Sequence, residues 1–268
     1  MAPRTVHVVS LHIYPIKSCR GIDITSADVR PMGFAWDRRW MVVDEEGVFL
    51  SQRRFPRLAT IDVALGRDNL QVSVPDMIEA LSVPLDPPTG DTIPVMVWKD
   101  QVPAIPAGRE ADEWFSEALG KRCRLVRQPE APVRSVDPRY GEPGDHVSLA
   151  DAYPILVATL DSLVDLNRRM KDPVPMNRFR PNVVVRGAPP YAEDGWTTLT
   201  GTDITLRLVK VCSRCVVVTK DQHSGVGGEE PLRTLSTYRE RDGKVFFGQN
   251  AIPVGTGSIR VEESLTAE

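Results

Sequence analysis

Short runs in which apolar and polar residues nearly alternate recur along most of the chain, the period-two signature of half-buried strands. Val6, Val8, Leu11 and Ile13 predict a first strand. Arg39 to Asp44 and Val48 to Gln52 flank Glu45-Glu46-Gly47, and Ala59 to Leu65 and Leu70 to Val74 flank Gly66-Arg67-Asp68-Asn69. Both read as hairpins, because turn-forming residues separate two strand-like runs. Thr92 to Trp98 predicts a further strand. After Met176 come five more candidates: Asn182 to Val185, Ile204 to Val211, Val216 to Thr219, Lys244 to Phe247 and Ser258 to Val261.

Helical spacing is rarer. Ala111, Trp114, Phe115, Ala118 and Leu119 share one helical face, and Gly120 stops the run. Leu160, Leu163, Val164 and Met170 predict a helix from about Thr159 to Met170. Pro231 to Glu240 predicts a third, opened by a proline that a first helical turn tolerates. Strands therefore dominate both halves, and 23 prolines spread along the chain suit many short strands with turns. The expected class is mainly β, a β-rich α+β arrangement of two barrel-like domains with a few short helices. Gln128 to Asp145 is rich in Pro, Arg and Gly, lacks periodicity and reads as the link. The expected division is 1–126 and 127–264, with the first strand free to join the second barrel.

The 268 residues carry 33 Lys and Arg against 36 Asp and Glu, a formal charge of −3. With 41% hydrophobic and 26% charged residues, this is ordinary globular composition, not that of a disordered chain, a coiled coil or a collagen-like repeat. A pI near 5.9 argues against a dedicated nucleic-acid binder. Met1 to Lys17 lacks a signal-peptide core, and no apolar run approaches the roughly 20 residues that span a bilayer. Four cysteines are too few for a disulfide scaffold. The expectation is a cytoplasmic protein with reduced thiols and no membrane segment, where a close cysteine pair points to metal or redox chemistry.

Cys212-Ser213-Arg214-Cys215 is the sharpest candidate. A thiolate is a soft ligand for zinc, copper or molybdenum-type centres, and the intervening arginine favours thiolate over thiol. Two semi-buried cysteines on a strand are the plain alternative. Structural zinc is disfavoured, because such a site takes four ligands and a second pair is missing. A thioredoxin-like role needs a helix start, which this strand-like text does not offer. Three other segments carry cations and hydrogen-bonding groups: Tyr14-Pro15-Ile16-Lys17-Ser18-Cys19-Arg20-Gly21, Trp36-Asp37-Arg38-Arg39-Trp40 and Asn177-Arg178-Phe179-Arg180-Pro181-Asn182-Val183. Each is compatible with an ordinary turn or strand entrance bearing surface charges. Arginine forks match phosphates, and lysine and serine at a turn can hold an anion. Taken together, the segments fit an anionic, phosphate-bearing metal cofactor with one open thiolate position.

Tyr14-Pro15-Ile16-Lys17-Ser18, Asp37-Arg38, Ser51-Gln52 with Pro56-Arg57-Leu58, Asn177-Arg178-Phe179-Arg180-Pro181-Asn182, Cys212-Ser213-Arg214-Cys215 and Phe247-Gly248-Gln249-Asn250 occur in this order. In that order and spacing they resemble the MOSC family, in the group with an N-terminal MOSC β-barrel domain that includes the mitochondrial amidoxime-reducing components and their bacterial homologues. The resemblance spans roughly Val6 to Val261. It implies a MOSC barrel in the C-terminal half and a molybdenum cofactor, a pterin with a dithiolene and a phosphate. It implies Cys215 as metal ligand and catalytic residue, with Cys212 unassigned. Lys17, Ser18, Arg38, Arg180 and Asn182 match positions that hold the pterin and its phosphate. Ser213, Arg214 and Asp151 match further cofactor-contacting positions. Asn250 falls where mitochondrial members carry Tyr and many bacterial ones Asn.

The implied activity is reduction of N-hydroxylated compounds. The sequence ends at Glu268 with no cysteine after Cys215, which reads as lacking the ferredoxin-like domain of some relatives. Electrons are then expected from a separate flavin, haem or iron–sulfur protein. Two alternatives stand beside this reading: a molybdenum-cofactor carrier or sulfur-transfer protein, and a non-enzymatic β-barrel binding module with zinc or no metal at the cysteine pair.

Overall fold

In the computed structural model, which describes residues 3–86, 90–131 and 134–268, seven strands close into one barrel. In hydrogen-bonded order they are Ile155–Thr159, Val183–Arg186, Arg4–Ile13, Ser264–Ala267, Thr198–Thr200, Thr205–Ser213 and Lys244–Val254. The last pairs back onto the first, with Ile155 opposite Ala251. The first strand of the chain thus lies among strands of the C-terminal half. Its inward residues Val6, Val8, Leu11 and Ile13 are all buried. The spacing changes from two to three after Val8 because the pairing with Val183–Arg186 shifts between Val8 and Ser10. A β-bulge there returns the apolar side chains to the same face. Burying each such side chain stabilises by about 1.5–3 kcal/mol, so a one-residue slip would be costly.

The N-terminal half builds an open, half-barrel sheet in the order Trp40–Val43, Arg124–Arg127, Asp100–Pro106 and Ile93–Val97. Residues 47–50 bridge its two edges: Leu50 N donates to Val42 O at 2.8 Å and Phe49 N to Met96 O at 3.2 Å. A three-stranded sheet, Asp62–Leu65, Asn69–Ser73 and Leu81–Pro84, packs beside it. The helix Arg109–Leu119 covers this core with Trp114 and Phe115 and ends at Gly120 in the left-handed conformation. Among the described residues there are three α-helices, the others being Leu160–Arg168 and Leu232–Arg239. Thr159 caps the second, its hydroxyl accepting from Ser162 N at 3.1 Å. Among the described residues no helix is long and apolar enough to cross a membrane.

Two segments differ from expectation in ways that bear on function. Val216–Thr219 is a short 3-10 turn and not a strand. Its β-branched run resembles strand text, but the preceding strand has already ended at Ser213, and the chain turns at Cys215. The stretch 128–145 is more than a link. Arg134 is buried and donates to the carbonyls of Ser148 at 2.9 Å and Ala150 at 2.6 Å, beneath the Asp151 turn. Gly248 also serves the site. Its φ is +76°, and a Cβ there would lie 2.7 Å from Val157 O, so glycine lets the two strands approach below Asn250.

Candidate functional site

Where the two halves meet, a cleft of about 920 Å³, its mouth included, receives side chains from both. Lys17, Ser18, Arg38, Asp151, Arg180, Asn182, Ser213, Arg214, Cys215 and Asn250 all line it. Residues more than 230 positions apart in sequence are brought together because the first strand delivers the 14–18 segment to the ends of the Thr205–Ser213 and Lys244–Val254 strands.

The deep wall is cationic. The Tyr14 ring lies between two guanidinium groups, with Arg38 Cζ and Arg180 Cζ each 4.2 Å from its centroid. Tyr14 is pinned by its hydroxyl, which donates to Pro181 O at 2.9 Å, and by its N–H to Asp37 Oδ1 at 2.8 Å. Asp37 is no surface carboxylate: it is 1% exposed and meets Arg38 Nη1 at 2.5 Å. Asn182 Oδ1 accepts from the same Nη1 at 3.0 Å and from Leu156 N at 3.1 Å, while its Nδ2 donates to His12 O. Asn182 therefore holds Arg38 in place as well as lining the cleft.

Arg180 has no carboxylate partner among the described residues. Its Nη1 donates to Gln222 Oε1 at 3.1 Å, and burial, with Arg38 adding repulsion, pulls its guanidinium down to about 10. Arg180 is half-buried, and a partly desolvated cation without a counter-charge carries a cost that an anionic ligand would offset. Lys17, itself buried, meets Asp151 at 2.5 Å. Burial lowers its ammonium below the ordinary range, and Asp151 opposes the shift.

The thiol wall is a turn. Arg214 Nη1 donates to Cys212 Sγ at 2.9 Å and its Nη2 to Phe179 O at 2.6 Å. Its Nε is buried without a partner. Cys215 follows in extended conformation, its thiol free, and its carbonyl accepts from Val218 N at 3.1 Å. Asn250 Nδ2 donates to Lys210 O at 3.1 Å, which sets its side chain at the strand edge.

Backbone strain concentrates here. Ser18, Arg38, Trp98 and Arg180 hold left-handed φ angles of 72°, 50°, 59° and 54°. Such conformations cost roughly 1–3 kcal/mol each and persist only where the surroundings impose them, as at binding sites.

The residues present fit an anionic, phosphate-bearing cofactor. Lys17, Arg38, Arg53, Arg180 and Arg214 face the cleft against one lining carboxylate, Asp151. Among the described residues the Arg214 Nε has no acceptor, and the free thiols offer a soft ligand. A structural zinc site fits less well, since among the described residues no three His, Cys, Asp or Glu side chains converge to hold a metal.

Sequence reasoning passed over several contributors. Gln222 and Gln52 donate to each other reciprocally at 3.1 Å, and Gln52 Nε2 also donates to Ser18 O at 2.7 Å. Both are buried and back the cation wall. Gln52 stood within a resembling motif, whereas Gln222 sits in a polar loop with no local signal. Phe49, Arg53 and Trp98 also line the cleft. Arg178 faces away and ties the chain after Cys215, donating to Thr219 O at 2.8 Å and pairing with Asp221 at 3.1 Å.

Residues 5–122 match the MOSC N-terminal beta barrel domain and residues 144–266 the MOSC domain. The chain is 36% identical over 272 residues to mitochondrial amidoxime-reducing component 1 of Mus musculus, covering 95% of this chain and 80% of that one. Against the Homo sapiens protein of the same name it is 33% identical over 274 residues, with the same coverage. It is also 36% identical over 264 residues to the molybdenum cofactor sulfurase of Danio rerio, covering 90% of this chain but 31% of that larger protein.

Proposed function

Because the chain belongs to the family that joins an N-terminal MOSC β-barrel domain to a MOSC domain, we propose that it is a molybdenum-cofactor-dependent reductase of N-hydroxylated compounds. One observation carries the reading: a free thiol, Cys215, shares a cleft with the buried Lys17 and half-buried arginines, of which Arg180 has no carboxylate partner among the described residues. Arg38 and Arg180, spaced by Tyr14, hold the pterin phosphate, with Lys17 and Ser18 beside them. Asn182 and Asp37 fix the Arg38 fork, and Gln222 fixes that of Arg180. Arg214, Ser213, Asp151 and Asn250 contact the pterin, and Cys215 ligates the metal. When bound, the cofactor supplies the two-electron redox centre that cleaves the N–O bond.

The protein's own task is positional and electrostatic. The deep cations offset the cofactor's negative charge, each charge-assisted contact contributing about 1.5–3 kcal/mol. Arg214 keeps the Cys212 thiol engaged and leaves Cys215 free. Electrons arrive from a separate flavin, haem or iron–sulfur protein. Four unpaired cysteines favour the cytoplasm.

The molybdenum-loaded protein should convert benzamidoxime to benzamidine with a chemical electron donor. Cofactor bound without turnover would instead favour the carrier or sulfur-transfer reading, which the similarity to sulfurases also supports. Cys212→Ser should cost at most about tenfold in turnover, because it alters one hydrogen bond from Arg214. A Cys212→Ser protein devoid of molybdenum would reverse the roles assigned to the two cysteines.

A further inference from the structure

The cleft has a second wall that the cofactor assignments leave unused. Trp98 sits at the turn between the Ile93–Val97 and Asp100–Pro106 strands, 42% exposed at the mouth. A tryptophan there is large, apolar and held in a left-handed backbone conformation, φ +59°. Three neighbours fix its ring. Its Nε1 donates to Asp151 Oδ1 at 3.2 Å. The Phe49 ring meets it edge-on at 4.8 Å between centroids, with planes at 66°. The Arg53 guanidinium lies over it, 4.4 Å from the ring centroid.

Depth separates this wall from the cation wall. Lys17 and Asn182 are buried, whereas the Asp151 side chain is 66% exposed and Trp98 stands beside it. Trp98 and Cys215 line the same cleft. Among the described residues Arg53 makes no ion pair with a carboxylate; its guanidinium is engaged on the Trp98 ring. Flat π-systems stack well on such surfaces, gaining from dispersion, burial and the aligned cation.

Resting on the reductase reading, we propose that Trp98, backed by Phe49 and Arg53, is the specificity-determining platform that selects planar, conjugated N-hydroxylated substrates over small aliphatic ones. Trp98 acts on binding, by stacking, and takes no part in the redox step.

The test compares benzamidoxime with acetamidoxime on wild type, Trp98→Ala and Trp98→Phe, each loaded with cofactor and normalised to molybdenum. Two readouts are taken: the ratio of kcat/KM for the two substrates, and direct calorimetric binding of each probe. Trp98→Ala should lower the preference for benzamidoxime about tenfold, through KM and the binding constant rather than kcat. Trp98→Phe should restore most of it, since it keeps a ring but loses the N–H to Asp151. Equal losses on both substrates would overturn the platform. So would a Trp98→Phe variant as impaired as Trp98→Ala, which would trace the effect to Asp151. Loss of molybdenum on Trp98→Ala would assign the wall to the cofactor. If wild type binds benzamidoxime preferentially yet reduces neither probe, the reductase reading fails while the platform stands. If it reduces both without preference, the platform fails alone.

Discussion

Cys215→Ser abolishes reduction of N-hydroxylated substrate. The loss should exceed the roughly 10–100-fold that accompanies removal of an outer partner of a metal ligand, because here the ligand itself goes. The structure makes the substitution clean. Cys215 lies at a turn where the backbone, not the thiol, makes the local hydrogen bond to Val218 N, and a hydroxyl occupies the same space. Folding and thermal midpoint of the cofactor-free protein should therefore be retained. Turnover assays with a chemical electron donor, alongside Cys212→Ser, check it. Residual activity of Cys215→Ser comparable to that of Cys212→Ser would show that the thiol ligand was wrongly chosen.

Arg180→Ala carries the second large effect, and its two consequences differ in kind. Loss of a charged contact worth about 1.5–3 kcal/mol should weaken cofactor binding about 10–150-fold. The empty protein should respond differently. Arg180 is half-buried, meets no carboxylate among the described residues and is repelled by Arg38 across the Tyr14 ring. Removing it takes away an uncompensated charge, which offsets the packing lost from Tyr14. The thermal midpoint of the cofactor-free protein should hold or rise while cofactor occupancy falls. A marked fall in that midpoint with intact occupancy would make Arg180 a structural residue and remove it from the phosphate assignment.

The fold was legible where hydrophobic period and turn chemistry agreed. The first strand, the Asp62–Leu65 and Asn69–Ser73 hairpin and all three helices come through on that basis. Ile155–Thr159 escaped notice because Ile-Leu-Val-Ala-Thr is a continuous apolar run, as a strand enclosed by the barrel would be, with no alternation to mark it. Val216–Thr219 misled for the opposite reason: β-branched residues favour strands locally, but tertiary context ended the strand at Ser213. Short strands such as Ser264–Ala267 carry too few residues to show a period.

For the candidate site, segments with several polar groups at once were readable, and the ten residues named from them and from the family resemblance all line one cleft. What sequence could not show is how those groups divide their work. Asp37 looks like a surface ion-pair partner in a charged run, yet it is buried and orients Arg38. Gln222 and Trp98 lie in segments without a motif and acquire a role only when the 47–50 bridge and the first strand bring the two halves together. Residues that position others need long-range contacts to be seen, and one-dimensional spacing does not encode them.

The central claim is that this cleft holds a molybdenum cofactor on Cys215. Elemental analysis for molybdenum and zinc, on protein freshly purified from a host that makes the cofactor, tests it most directly. The account predicts molybdenum near one per chain in wild type and little or no zinc, with molybdenum lost from Cys215→Ser. Zinc in place of molybdenum, or neither metal in wild type, would contradict it and leave the cation wall without the ligand assigned to it.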